Sequence, residues 1–484
     1  MLNKKLVNRS IGNYIAILRG KIGLGDNTTA MEALALKDPV SFGSPFNSST
    51  SEAKEGEVTT ARLSNGITVV AETPRIPSTV TMGILMDVGT RDENSKTSGA
   101  LHSLKTTYYK SFLRTNETIN YGMVQMSGGR YNMDFSREHS IFKATCLSHD
   151  VVDIFTMMTD CAFEPRNFVS TNVAIAKLPH YHQLAKLTNS HHELTDKIFQ
   201  ACYGTRGLGN PLLGHEKNIL NLDAYTMQQF QLNNIETDKI VVAGVNVEHA
   251  EEFFELAELR LGNLRYNQNA KERQASEFAE SDVRNLTKGA YNSHAAIVFE
   301  AGDWKADDLL NYYLLSEMLG RIEVGNNDTL STARNRLTRN VYAENAFIDS
   351  VEATNMHFTD SGLFIIRANI NGDNVNKALE LIAGEFKALG SSKDAELRVA
   401  KKKLKLKLMN ALEDDSVRVE ELLKQTSVYG KADFKSVIQR VDDISAASLA
   451  KTVQNLCRAK MTFVLESASL QNIHSHDKIK NLFA

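Results

Sequence analysis

From Val58 onward the chain is built of short alternating runs of apolar and polar residues. Ala61-Arg62-Leu63 and Ile67-Thr68-Val69-Val70 flank Asn65-Gly66, a dipeptide that strongly favours a two-residue hairpin, so a hairpin is predicted there. Val80, Met82, Ile84, Met86 and Val88 fall on one side of an extended strand that runs into Gly89-Thr90. Phe142, Ala144 and Cys146 alternate ahead of Val151, Ile154, Phe155 and Met158, which recur at helical spacing. The second half repeats this order. Ala295, Ile297, Phe299 and Ala301 run into Gly302-Asp303, and Phe364, Ile366, Ala368 and Ile370 precede Val375, Ala378, Leu379 and Ile382. Two copies of one α+β module are predicted, each a mostly antiparallel sheet with helices packed on it.

These signals divide the chain. Residues 1–25 carry Lys4, Lys5, Arg9, Arg19 and Lys21 with no acid before Asp26, the composition of a mitochondrial transit segment. Residues 26–57 are rich in Ser, Asn, Thr and Gly and read as a linker or arm. A first domain over 58–264 and a second over 291–484 are expected, joined by a polar linker over 265–290 that contains Asn267-Gln268-Asn269-Ala270-Lys271-Glu272-Arg273-Gln274. A length of 484 residues agrees, because single cores stop growing near ~250–300 residues.

Composition narrows the function classes. The net charge of -3 lacks the basic excess of a nucleic-acid binder, so protein partners are expected. Cys146, Cys161, Cys202 and Cys457 show no CxxC spacing, which predicts reduced, mostly buried thiols. No run approaches the roughly 20 apolar residues of a membrane-spanning helix. The cluster Arg398, Lys401, Lys402, Lys403, Lys405 and Lys407 reads as the solvated face of a helix whose Leu404 and Leu408 turn inward.

Candidate chemistry lies in the helix predicted over 99–112, Gly99-Ala100-Leu101-His102-Ser103-Leu104-Lys105-Thr106-Thr107-Tyr108-Tyr109-Lys110-Ser111-Phe112. The segment resembles the one in which inverted-motif zinc peptidases carry His-x-x-Glu-His. Its lead-in Asp87-Val88-Gly89-Thr90-Arg91-Asp92-Glu93 resembles that of the subunits of mitochondrial processing peptidase and the core proteins of respiratory complex III. The likeness continues through Ser127-Gly128-Gly129, Ser136-Arg137-Glu138, the stretch from Gly207 to Gly214, Tyr342-Ala343-Glu344-Asn345 and Thr359-Asp360-Ser361-Gly362-Leu363-Phe364.

In that family two histidines one helical turn apart hold Zn²⁺, the intervening acid takes a proton from the zinc-bound water, and a distant carboxylate completes the site. Here the first ligand position is His102, the base position is Lys105 and the second ligand position is Thr106. Counting on by the family's interval puts the third ligand at His182. Two imidazoles beside a lysine cation make a set too short and electrostatically opposed to a divalent ion, so no bound metal or other cofactor is expected. His180, His191 and His192 read as surface histidines. The family's glycine-rich, peptide-admitting loop corresponds to 319–330, where Gly320 and Gly325 are the only glycines, and Glu323 and Asp328 are the acids that could attract a basic peptide.

The resemblance therefore implies a catalytically degenerate chain, of the alpha type, that forms half of a clam-shell heterodimer. It implies a beta-type processing-peptidase or core protein 1 partner and the cytochrome b, cytochrome c1 and iron-sulfur subunits of complex III. The implied location is the matrix side of the mitochondrial inner membrane, reached through those partners. Assistance in presequence recognition by a zinc-bearing subunit is the alternative role.

Overall fold

The computed structural model describes residues 56–75, 78–107, 117–163, 180, 191–265, 273–287, 292–323, 335–371 and 374–484, the side chains of 106–107, 117–118, 191–193 and 323 excepted. The first sheet contains β1 (Val58–Arg62), β2 (Thr68–Glu72), β3 (Thr79–Met86), β4 (Arg130–Phe135), β5 (Ser140–Leu147) and β6 (Val241–Val245). The second contains β7 (Asp282–Leu286), β8 (Asn292–Ala301), β9 (Arg321–Glu323), β10 (Ile348–His357), β11 (Gly362–Asn371) and β12 (Met461–Ser467). Their orders are β1-β2-β6-β3-β5-β4 and β7-β12-β8-β11-β10-β9.

The series β2-β6-β3-β5-β4 in one sheet matches β7-β12-β8-β11-β10 in the other. Each series has a single parallel pair, β2 with β6 and β7 with β12, and is otherwise antiparallel. The internal repeat expected from the alternating runs is thus present strand for strand. The hairpin at Asn65-Gly66 also forms, joining β1 to β2, with Gly66 at φ 97°, a conformation costly to any residue with a Cβ.

Each sheet has a core on one face. Met82, Ile84 and Phe142 pack there with Phe155 and Met158 of helix Val151–Phe163, and Ile297, Phe299 and Phe364 pack with Ile382 and Phe386 of helix Val375–Ala388. The opposite faces are covered by exchange. Helix Asp415–Tyr429, from the second half, lays Val419, Leu422 and Leu423 on Val70, Leu85, Val241 and Ala243 of the first sheet. Helix His191–Tyr203, from the first half, lays Ile198, Phe199 and Cys202 on Ala296, Val298, Ile365 and Val464 of the second. This is why β3 is buried at every position from Val80 to Met86 although its alternation marks only one face. On the exchanged face Gly83 leaves room for the incoming helix: a Cβ there would stand 2.7 Å from the Leu423 side chain.

Two boundaries differ from expectation. Strand β7 lies inside the stretch read as a linker; its sequence, Asp282-Val283-Arg284-Asn285-Leu286, contains no fully buried residue and so lacks a strong apolar signal. Residues 321–323, read as part of a loop, form the edge strand β9 against β10. The four thiols are free, and Cys146, Cys161 and Cys202 are buried. Among the described residues no helix is long and apolar enough to cross a membrane. Residues 1–55, which include the transit-like segment and nearly all of the arm, lie outside the described residues.

Candidate functional site

Strand β3 delivers the chain into the turn Asp87–Glu93, which sets the start of helix Ala100–Thr107. Gly89 makes the closest approach: a Cβ there would stand 2.1 Å from the Arg137 carbonyl oxygen. On the far side of the turn Glu93 accepts the backbone N–H groups of Gly99 and Leu101, each at 2.9 Å, which satisfies two donors at a helix start.

Burial pushes the Glu93 carboxyl up to about 8, against the opposing pull of those two N–H groups and with a small further push from Asp92. A carboxyl whose pKa is higher folded than unfolded contributes stability that is present below the unfolded value and lost as pH rises through the folded one. The thermal midpoint should therefore decline from about pH 4.5 through pH 8. Glu93→Gln, measured by calorimetry across that range, should lower the midpoint at acid pH and flatten the decline; a slope that survives the substitution would assign it to another group.

His102 is buried on the inner side of its helix. Its ring meets Phe135 edge-on, with centroids 5.6 Å apart, and lies against the ring of His180 at 4.1 Å. His182, the expected third-ligand position, is outside the described residues. His180, expected at the surface, is instead fully buried and is the histidine brought to His102. Its Nε2 faces the Leu213 carbonyl at 2.7 Å and must carry the proton, so its Nδ1, 3.1 Å from the Ser103 hydroxyl, is the acceptor. Burial holds this imidazole below its ordinary pKa despite the Leu213 hydrogen bond. A neutral ring with both nitrogens engaged has no lone pair to offer a metal.

At the general-base position, Lys105 Nζ lies 3.3 Å from Asp134 and over the Phe135 ring, 5.8 Å from its centroid. Asp134 is shared with Lys143, which reaches on to Glu420 at 2.9 Å. Burial pushes Asp134 up, but Lys143 and Lys105 outweigh it and hold the carboxyl below its usual range. The position that needs a proton acceptor thus bears a cation already paired with a carboxylate. The Thr106 side chain lies outside the described residues. Among the described residues no three His, Cys, Asp or Glu groups converge to hold an ion, and the chemistry of the residues placed at the motif does not fit zinc.

The lead-in turn and three of the other segments of the resemblance meet at the junction between the two sheets. Arg91, buried, ion-pairs with Glu138 and, at 2.8 Å, with Asp360. Glu138 also accepts the Thr359 N–H at 3.1 Å and its hydroxyl at 2.7 Å. Arg137 lies over the Phe199 ring at 3.8 Å, pairs with Asp196 at 2.5 Å and donates to the carbonyls of Leu208 and Asn210. Asn210 in turn donates to the carbonyls of Thr90 and Glu93, both at 2.9 Å. The lead-in turn, Ser136-Arg137-Glu138, the Gly207–Gly214 stretch and Thr359-Asp360 therefore form one polar clamp.

Gly320 closes helix Leu309–Leu319 at φ 89°, and a Cβ there would stand 2.2 Å from the Asn335 side chain. Its place in the fold is a helix-to-strand turn. The Glu323 side chain, Gly325 and Asp328 lie outside the described residues.

Two family profiles match the chain. Residues 68–216 match the domain described as Insulinase (Peptidase family M16), and residues 221–404 match the Peptidase M16 inactive domain. The chain is 26% identical over 406 residues to the mitochondrial-processing peptidase subunit beta of Blastocladiella emersonii, covering 81% of this chain and 84% of that protein. It is 25% identical over 449 residues to the mitochondrial-processing peptidase subunit alpha of Solanum tuberosum, covering 89% and 86%. A chain of the structure titled Complex III2 from Candida albicans, Inz-5 bound, shares the fold with a TM-score of 0.74 and 16% identity, over 88% of this chain and 99% of that one.

Proposed function

We propose, for a chain that belongs to the insulinase (M16) peptidase family, the role of a non-catalytic core subunit of mitochondrial respiratory complex III, a scaffold on the matrix side of the inner membrane. The observation that carries this reading is the contrast between the two sets of family positions. In the catalytic set the base position is occupied by Lys105, paired with Asp134, and the first ligand position by a His102 ring packed on a neutral, fully hydrogen-bonded His180. The clamp that unites the sheets is built on ion pairs. A chain of this kind offers surface and rigidity to an assembly. Its partners under this reading are a beta-type core subunit and the cytochrome b, cytochrome c1 and iron-sulfur subunits. The fold likeness to a complex III chain supports it.

The names of its relatives, processing-peptidase subunits of both kinds, favour a second reading, an alpha-type subunit that assists presequence cleavage by a zinc-bearing partner. One preparation tests both. Solubilised from mitochondria in mild detergent, the chain is expected to elute with haem-bearing subunits. Elution without haem, beside a chain bearing intact His-x-x-Glu-His and with presequence cleavage lost at low salt on Glu323→Gln and Asp328→Asn, would replace the scaffold reading with the second.

A further inference from the structure

Between helices Leu309–Leu319, Asp394–Glu413, Asp415–Tyr429 and Phe434–Asp443 lies a chamber of about 420 Å³. Its wall is mostly aliphatic and aromatic: Leu310, Leu408, Leu412, Val428, Phe434 and Val437 line it, and each remains only part-buried. Trp304 is also part of the lining, its carbonyl accepting the Tyr429 hydroxyl. Water gains little here, because an ordered water needs two to four polar partners and such a wall supplies few.

The cations of the lining are Lys424, Lys431 and Arg440. Lys424 is answered by Glu420 at 2.7 Å, whereas Lys431 and Arg440, both exposed, pair with no carboxylate among the described residues. Of the acids that line the chamber, Asp433 is committed to the Ser436 N–H at 3.0 Å. Burial pushes the Glu421 carboxyl up, with Lys424 opposing and Glu420 adding to the push, so it favours the neutral form more than an ordinary glutamate does.

We propose that this chamber binds a single-chain aliphatic anion of the fatty-acid class, its chain among the four helices and its carboxylate at Lys431 and Arg440. The volume falls in the range of small-ligand sites, roughly 300–1,000 Å³. The two unanswered cations favour an anion over a neutral alcohol of the same chain length.

Trp304 is the only tryptophan of the chain, so its fluorescence reports this site directly. Titrated into the full chain below self-association, dodecanoate should shift the emission saturably at one molecule per chain and bind more tightly than dodecanol. Lys431→Gln with Arg440→Gln, at exposed positions that leave the core intact, should weaken dodecanoate about tenfold and leave dodecanol unchanged. Ala411→Phe, which fills the chamber, should abolish both shifts with the circular dichroism spectrum preserved. The proposal is overturned by a non-saturating shift, by equal dodecanoate affinity in the charge variant, or by displacement of dodecanoate by an acidic amphipathic peptide, which would reassign the chamber to a protein partner. Should Ala411→Phe fail to fold, the dodecanoate-to-dodecanol ratio in the charge variant decides the matter alone.

Discussion

Replacing Arg418 with alanine should destabilise the folded chain by about 3–5 kcal/mol, the range for stripping one partner from a buried ion pair. Glu72 ends strand β2 fully buried, and the Arg418 guanidinium on the exchanged helix Asp415–Tyr429 holds its carboxylate, with Nε at 2.6 and 2.9 Å from the two oxygens. Arg75 stands farther off, 4.0 Å from the same carboxylate, and is engaged by Asp415 at 2.6 Å. Without Arg418 the desolvated charge has no adequate replacement. Urea unfolding of Arg418→Ala measures the loss, and the double change Glu72→Leu with Arg418→Met should recover much of it, because an apolar pair leaves no orphaned charge. A single-substitution loss below about 1 kcal/mol would mean that water reaches Glu72 and that the pair behaves as a surface one.

Gly89→Ala should be as damaging, at about 3 kcal/mol or more, for a steric reason alone. The φ of Gly89 is -132°, open to any residue, so conformational strain is not the issue. The added methyl would stand 2.1 Å from the Arg137 carbonyl oxygen and 2.3 Å from the Glu138 nitrogen, backbone atoms that cannot move without opening the clamp at Glu138 and Asp360. Overpacking against a movable side chain costs ~1–3 kcal/mol, and a clash with fixed backbone belongs at or above the top of that range. Gly122→Ala is the control: it lies within helix Glu117–Met126 with nothing within 4 Å of the new Cβ, and should stabilise by up to ~1 kcal/mol. Matched losses at both positions would refute the steric account.

What the sequence makes legible is whatever is written within a few residues. The alternation at Val80–Val88 and Ala295–Ala301 locates β3 and β8, Asn65-Gly66 locates the hairpin, and the helical spacing at Val151 and Val375 locates the helices that cover one face of each sheet. The exchange of the other two covering helices is invisible locally, because it rests on contacts such as Glu72 with Arg418 and Leu85 with Leu423 that only the folded topology creates. Gly83 carries a trace of it, a strand glycine where another element comes close. The third ligand position counted by the family interval, His182, lies outside the described residues, whereas His180, expected at the surface, is buried against His102, a contact that no local spacing announces. The clamp was readable as a set of resembling segments, but not as one contact network, since its members come from both halves of the chain.

The exchanged helices also set an order on biosynthesis. The face of the first sheet that bears Val70, Leu85, Ile141, Val241 and Ala243 is complete as a surface once Val245 has left the ribosome, yet its cover, Val419 to Leu423, follows roughly 180 residues later. At ordinary translation speeds of ~5–20 residues per second that apolar face stays uncovered for on the order of ten to thirty seconds. During that interval the nascent first half is a sticky intermediate that invites chaperone capture or pairing with another unfinished chain. The same wiring means that neither half is a detachable cassette: each carries the lid of the other, and the molecule is finished only when both lids are down.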